Sequence, residues 1–521
     1  MSCIGSPSNA RRQSGDSDRS ECAAARWVLI ATILGSSMEF IDGTVTGVSL
    51  PAIQSTFHAT AVQAEWVTAG YGLFLSSFLL SAGALGDRFG QRNIFGLGTL
   101  FFALASSWCA FAPSIVQLLI ARAAQGASGA CLVANSLAFL NSSTPLESRG
   151  KAIGTWSAVG ALMAACGPIL GGWLVQHRSW RWVFLLNIPT AAIALWITAV
   201  KTRGASPRAE VGSLDLSGAF LGAFSLASLT LGLLQWEATP RLGLISCVAG
   251  TLAAVIFLRW EARSQNPLLP LTLFHSRLFT GTNLITLLLY GGVAPMLFYI
   301  PIELIQIKRY SPQQAGAALL PLVLTLSLLS RWAGSLLQRV GARAMLCGGP
   351  LTVAAGLFLL ATSNLNPNYW ARLGPCLFLI GIGLALTVTP LTTAVMSSVE
   401  DKHAGIASGV NNTVAQVAAL LVLAISTPLF QHRFDALLRT QLAVNRISAD
   451  DSASIWEQRR KLGAITTSNS RGRLAIDQAY TQSFGMVGWL AGSLAVFAGV
   501  AGYISLRSNP IQPRLIGEMP K

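Results

Sequence analysis

Two carboxylates and one guanidinium lie inside stretches of sequence that are otherwise apolar. Glu39 and Asp42 fall midway along the run 27–50, and Arg122 falls inside 115–140. An ionised side chain at the centre of a bilayer costs at least about 2.5–3.5 kcal/mol on insertion scales. Such charges persist where they are paired, line a water-filled path or carry protons. Glu39 and Asp42 are three residues apart and so share a helix face. Two neighbouring carboxylates repel when both are ionised, which suits one of them to carrying a proton. Arg122 can hold either carboxylate ionised and respond when it is protonated. The plainer alternative is a static buried ion pair.

Membrane-spanning helices are what must position these groups. The chain of 521 residues is 52% hydrophobic and 11% charged, against about 25% charged in a soluble domain. A span takes roughly 20 mostly apolar residues. Fourteen runs qualify: 27–50, 63–85, 94–112, 115–140, 151–175, 182–200, 214–236, 242–259, 278–303, 313–337, 343–363, 370–398, 405–430 and 483–506. The short connections near 112–115 and 236–242 leave thirteen or twelve spans open. An even number puts both termini on one side. The loops of that side carry Arg88, Arg92, Arg149, Lys151, Lys201, Arg203, Arg339 and Arg343, among others. The short loops opposite hold Arg178, Arg181, Arg241, Lys308, Arg309 and Arg372. The excess places both termini in the cytoplasm. The net charge of +15 is then an orientation signal, and no nucleic-acid partner is expected.

Four segments carry further meaning. Gly83–Asn93 reads GALGDRFGQRN, with glycines for a tight turn and with Asp87, Arg88 and Arg92 placed for electrostatic contacts. An echo, Gly334–Arg343, carries Gln338 where an Asp is expected. Arg122–Ala130 reads RAAQGASGA, and Gly126 and Gly129 thin one helix face for a close neighbour. Met38–Pro51 reads MEFIDGTVTGVSLP. Cys166–Trp173 reads CGPILGGW, in which Gly167, Pro168, Gly171 and Gly172 should bend and closely pack the fifth span. Together with Ser179–Pro189, and with Glu65–Tyr71 at the start of span two, these segments resemble the major facilitator superfamily, specifically its fourteen-helix drug:proton antiporter branch. The departures are Gly47, where that branch usually has Asn, and Met163, where a glycine is usual.

The resemblance implies an all-α integral membrane protein. Two six-helix bundles, 27–200 and 278–506, would flank two extra spans, 214–259, with cytoplasmic tails at 1–26 and 507–521. The loop 431–482 is expected to be external, with one or two amphipathic helices. The implied activity is proton-coupled efflux of hydrophobic, often cationic compounds by alternating access from the inner membrane. Glu39, Asp42 and Arg122 would couple protons. Gly83, Asp87, Arg88, Gly90 and Arg92 would form a conformational latch, and Gly167, Pro168, Gly171 and Gly172 the antiporter bend. Alternatives are an exporter of a single metabolite and a non-transporting membrane sensor.

Asn135, Asn412 and Gln416 are candidates for the substrate cavity, or else for hydrogen bonds between helices. Glu303 and Gln306, at the outer end of span nine, are expected to be solvated, and Asp215 to cap span seven. No GxxxxGK[ST] run is present, so protons rather than ATP would supply the energy. The eight cysteines lack CxxC spacing and read as free thiols, with no metal site, no cofactor and no enzymatic chemistry expected. Expected partners are a small-molecule substrate, protons and the lipid bilayer, with a periplasmic adaptor and outer-membrane channel left open.

Overall fold

The computed structural model describes residues 8–144, 146–202, 215–236, 239–264, 267–362, 369–370, 372–398 and 404–505. Every regular element among them is helical, as expected where lipid offers the backbone no hydrogen bonds. The first group is α1 (Ser8–Phe57), α2 (Ala61–Phe89), α3 (Gln91–Phe111), α4 (Ile115–Ser143), α5 (Leu146–His177), α6 (Arg181–Leu185) and α7 (Asn187–Val200). A pair follows, α8 (Leu216–Leu234) and α9 (Pro240–Glu261). The last group is α10 (Arg277–Ile302), α11 (Pro312–Ala318), α12 (Leu320–Val340), α13 (Ala342–Ala361), α14 (Leu373–Ser397), α15 (Ala404–Val444), α16 (Ala449–Glu457) and α17 (Ser470–Ser505).

Twelve spans among the described residues are long and apolar enough to cross a membrane. The helices α2 and α5 lie outside that set, yet run for 29 and 32 residues and pack within the same body. The architecture is consistent with fourteen crossings.

Local sequence explains where the helices start and turn. Thr60 and Gln63 form a reciprocal cap on α2, and Ser311 and Gln314 do the same for α11. Asp215 caps α8 by accepting from the Gly218 N–H at 2.7 Å, as its position predicts. Gly90 (φ 91°) joins α2 to α3, and Gly341 (φ 83°) joins α12 to α13. Only glycine adopts this backbone without penalty. The two turns fall in the motif and in its echo.

Within the first group α4 packs on α2 and α3, and α1 packs on α5 and α7. In the last group α13 lies on α14 and α17, and α10 on α15 and α17. Of the pair α8–α9, α8 packs on α2 and α15, while α5 against α11 and α2 against α15 join the two groups. Large apolar side chains such as Phe101, Leu104, Ile245 and Leu328 face outward, which suits a lipid surround. The helix α5 passes through Pro168 without interruption.

The segment 431–482 is largely helical. The helix α15 continues through it to Val444, α16 and a 3-10 turn (Arg459–Ala464) follow, and α17 begins at Ser470. Phe434, Leu438, Ile455 and Leu462 are buried in the main core, so this segment is a folded cap.

Candidate functional site

The helix α4 places Arg122 and Gln125 one turn apart on one face. The face points at α1, and there Asp42 meets them. Arg122 Nη1 lies 2.6 Å from Asp42 Oδ2 and donates also to Gln125 Oε1 at 2.7 Å. Gln125 Nε2 donates to the other Asp42 oxygen, Oδ1, at 3.0 Å and to Ser106 Oγ at 2.9 Å. Asn187 of α7 donates to the same Ser106 hydroxyl at 3.2 Å. Arg122 Nε reaches the Val67 carbonyl of α2 at 2.8 Å. The guanidinium lies 4.3 Å from the Tyr71 ring centre and 5.6 Å from that of Phe184. Both charged side chains are essentially without solvent exposure. The network ties α1, α2, α3, α4 and α7 through a single ion pair, and charge-assisted bonds of this kind are the strong ones.

Glu39 is half-buried one turn before Asp42 and has no ion-pair partner among the described residues. The carboxylate that meets Arg122 is Asp42. Gln125, a residue of the RAAQGASGA motif, grips both members of the pair. Its three-residue offset from Arg122 is the signal that marks it.

Several glycines of the motifs occupy crossings. A Cβ at Gly126 would run into the Tyr71 carbonyl of α2. Added at Gly167 or Gly171, it would run into Thr44 or Val45 of α1, and at Gly172 into Pro312 of α11. Gly83 has open space around its Cα. Arg92 donates to the Thr198 carbonyl at 2.8 Å and to Thr202 Oγ1 at 3.0 Å, at the C-terminal end of α7. A cation at a helix C-terminus is favourably placed. Arg88 is exposed beside the Phe89 ring. The side chains of Asp87 and Gln338 lie outside the described residues.

Asn135 sits between helices. It donates to the Ala82 carbonyl at 2.8 Å and the Cys131 carbonyl at 2.9 Å, and its Oδ1 faces Gly86. This is a contact of α4 with α2. Asn412 is exposed and Gln416 half-buried on α15. Glu303 and Gln306 differ from expectation: they are 2% and 7% exposed, because the cap folds over them. Glu303 pairs with Lys308 at 3.7 Å. The described cysteines are unbridged, and no group of three or more His, Cys, Asp or Glu among the described residues could hold a metal ion.

A family model described as Major Facilitator Superfamily matches residues 32–423. The chain belongs to that superfamily. Such a member is a transporter of small molecules and not an enzyme, and its crossings make it a multi-pass membrane protein. The Tetracenomycin C resistance and export protein of Streptomyces glaucescens is 30% identical, with 92% of each chain covered. Multidrug resistance protein Stp of Mycobacterium tuberculosis (strain CDC 1551 / Oshkosh) is 31% identical over 76% of this chain and 74% of its own length. The puromycin resistance protein pur8 of Streptomyces alboniger is 33% identical over 77% and 80%. The superfamily's fold recurs in solved structures of low identity. A bacterial homologue of the human lysosomal transporter Spinster, inward-facing and unoccupied, aligns with TM-score 0.62 at 16% identity, covering 94% of this chain and 99% of that one. An auto-inhibited POT family peptide transporter aligns with TM-score 0.65 at 12% identity, over 95% and 99%.

Proposed function

We propose that this protein is a proton-coupled drug exporter of the inner membrane, with both termini cytoplasmic, working by alternating access. The observation that carries the reading is the dry Asp42–Arg122–Gln125 network. An ion pair without solvent changes most when one charge is removed, because the other is left uncompensated. A proton on Asp42 abolishes the pair and loosens α1 from α4, while Arg122 keeps its bond to the Val67 carbonyl. The two bundles, 27–200 and 278–506, then rock about a central cavity, with the helices of 214–259 alongside. The turn at Gly83–Arg92 marks the cytoplasmic end, and the cap marks the outer end. Glu39, lacking a counter-ion, is placed to hand protons to Asp42 or to face a cationic substrate. Asn135, Asn412 and Gln416 are the cavity candidates. The cap is also the surface on which a periplasmic adaptor would dock.

The energy is sufficient. One charge moving down 100 mV releases about 2.3 kcal/mol, and one pH unit adds about 1.4 kcal/mol. A neutral substrate exchanged for one proton is thereby driven to a ratio on the order of a hundredfold or more.

The names of the relatives support a drug substrate. Two of them are named for one antibiotic each, which favours a second reading, a dedicated exporter of a single compound on the same machinery. The test is efflux of a fluorescent lipophilic cation from membrane vesicles with and without an imposed pH gradient. Proton-dependent efflux that disappears in Asp42→Asn supports coupling through Asp42. Uphill efflux that survives in Asp42→Asn removes Asp42 from that role. Competition among unrelated compounds separates the two substrate readings.

A further inference from the structure

A further buried carboxylate lies on α2, two residues before Val67, whose carbonyl Arg122 grips. Glu65 sits in the second turn of α2 and is 1% exposed. It lines a small cavity of about 20 Å³, room for about one water. Its Oε1 has no hydrogen-bond partner, and it has no ion-pair partner among the described residues. The Thr427 hydroxyl lies beside the carboxyl, and the Tyr299 hydroxyl lies 3.1 Å from Thr427 Oγ1. Gln306 and Tyr480 line the same cavity, and each brings an unpartnered oxygen, Gln306 Oε1 and the Tyr480 hydroxyl.

The walls come from both groups of helices. Glu65 and Gln54 belong to α2 and α1. Tyr299 belongs to α10, Thr427 to α15 and Tyr480 to α17, while Lys461 comes from the turn of the cap. Gln306 Nε2 donates to Gln54 Oε1 at 2.8 Å, and Gln54 Nε2 reaches the Lys461 carbonyl at 3.3 Å. Arg473 of α17 donates to the Gln306 carbonyl at 2.7 Å and is itself held by Asp477. Glu303 neighbours Tyr480 but is paired with Lys308. Tyr299 and Tyr480 are therefore the titratable groups beside Glu65, and Lys461 is the basic residue of the lining. This cavity exists only while the two groups are docked at the cap end.

An ionised carboxylate without a counter-ion or a full set of donors is costly in such a place. A carboxyl that carries a proton is neutral and brings a donor to a cavity that holds spare acceptors. We propose that Glu65 is a second proton-binding carboxyl, separate from Asp42, whose protonation allows the two halves to seal at the outer end. Deprotonated, it favours the undocked state, in which water reaches it. The proposal rests on the reading of the protein as a proton-coupled exporter, and it adds a proton-sensitive outer gate to that reading.

Hydrogen exchange of the full-length protein in lipid nanodiscs tests it, with segments 61–66 and 459–464 followed at mildly acidic and mildly alkaline pH after correction for intrinsic rates. In the wild type, protection of both segments is expected to fall by about tenfold or more at the alkaline value. Glu65→Gln, neutral at every pH, should stay protected at both values, while Asp42→Asn should respond as the wild type does. No response in the wild type, or a wild-type response in Glu65→Gln, overturns the proposal. A response lost in Asp42→Asn assigns the switch to Asp42 and overturns a separate role for Glu65. If Glu65→Gln does not fold, Glu65→Asp takes its place: a displaced pH midpoint supports the proposal and an unchanged one overturns it. Failure of the coupling reading shows separately, as vesicle efflux indifferent to the pH gradient.

Discussion

The carbonyl of Pro168 lies directly against the Cα of Gly316, leaving no space for a side chain between α5 and α11. Together with Gly172 on Pro312, it makes a close backbone approach between the first and last groups of helices. Gly316→Leu should therefore hold the two groups apart at the cap end. Overpacking of this sort costs typically about 1–3 kcal/mol, enough to shift a two-state population by about 5- to 150-fold. The expected outcome is a folded protein whose efflux falls by about tenfold or more and whose segment 459–464 exchanges faster. Efflux at the wild-type rate would show that the approach does not limit the cycle.

The buried ion pair predicts an asymmetry between single and double replacement. Arg122→Ala leaves Asp42 in a dry site without its counter-charge, which costs about 3–5 kcal/mol. Adding Asp42→Asn removes the orphaned charge and should recover most of that loss. Thermal unfolding of the purified single and double variants reads the difference. A double variant no more stable than Arg122→Ala would mean that solvent reaches Asp42 once Arg122 is gone.

The helices were the most legible part of the chain, because a span written in apolar residues leaves the backbone no other structure in lipid. Residues 431–482 read less clearly. The helix-forming stretch there was visible, but Leu438 and Ile455 are buried only because distant helices lie beneath them. The same holds at the site. The spacing of Arg122 and Gln125 puts both on one face, yet the sequence gives Glu39 and Asp42 equal claim to the arginine. The crossing of α1 on α4 decides for Asp42. The sequence marks Glu65 only as a motif residue, and its unpaired carboxyl emerges only when α10, α15 and α17 close over it.

Gly86 and Asn135 offer a test of helix contact within the first group. Alanine at position 86 places its Cβ on Asn135 Oδ1, and helix α4 cannot retreat without losing the bond from Asn135 to the Ala82 carbonyl. Gly86→Ala should destabilise by about 1–3 kcal/mol. Gly86→Ala in an Asn135→Ala background should cost much less, giving a coupling energy of about 0.5–3 kcal/mol between adjacent sites. Additive losses in thermal unfolding would show that the α2–α4 contact adapts by other means.

Arg92 makes a fork that lysine cannot copy. Its Nε and Nη2 both donate to the Thr198 carbonyl, at 3.1 and 2.8 Å, and Nε also reaches Thr202 Oγ1. These bonds satisfy carbonyls that the end of α7 leaves open. Arg92→Ala should therefore fray that end, at about 1.5–3 kcal/mol for bonds to a charged donor. Arg92→Lys keeps the charge near the helix C-terminus but loses the planar geometry, so it should restore only part of the loss. Hydrogen exchange over 197–202 follows the effect. Full protection in Arg92→Lys would show that charge alone holds the contact, and unchanged protection in Arg92→Ala would show that α7 is held elsewhere.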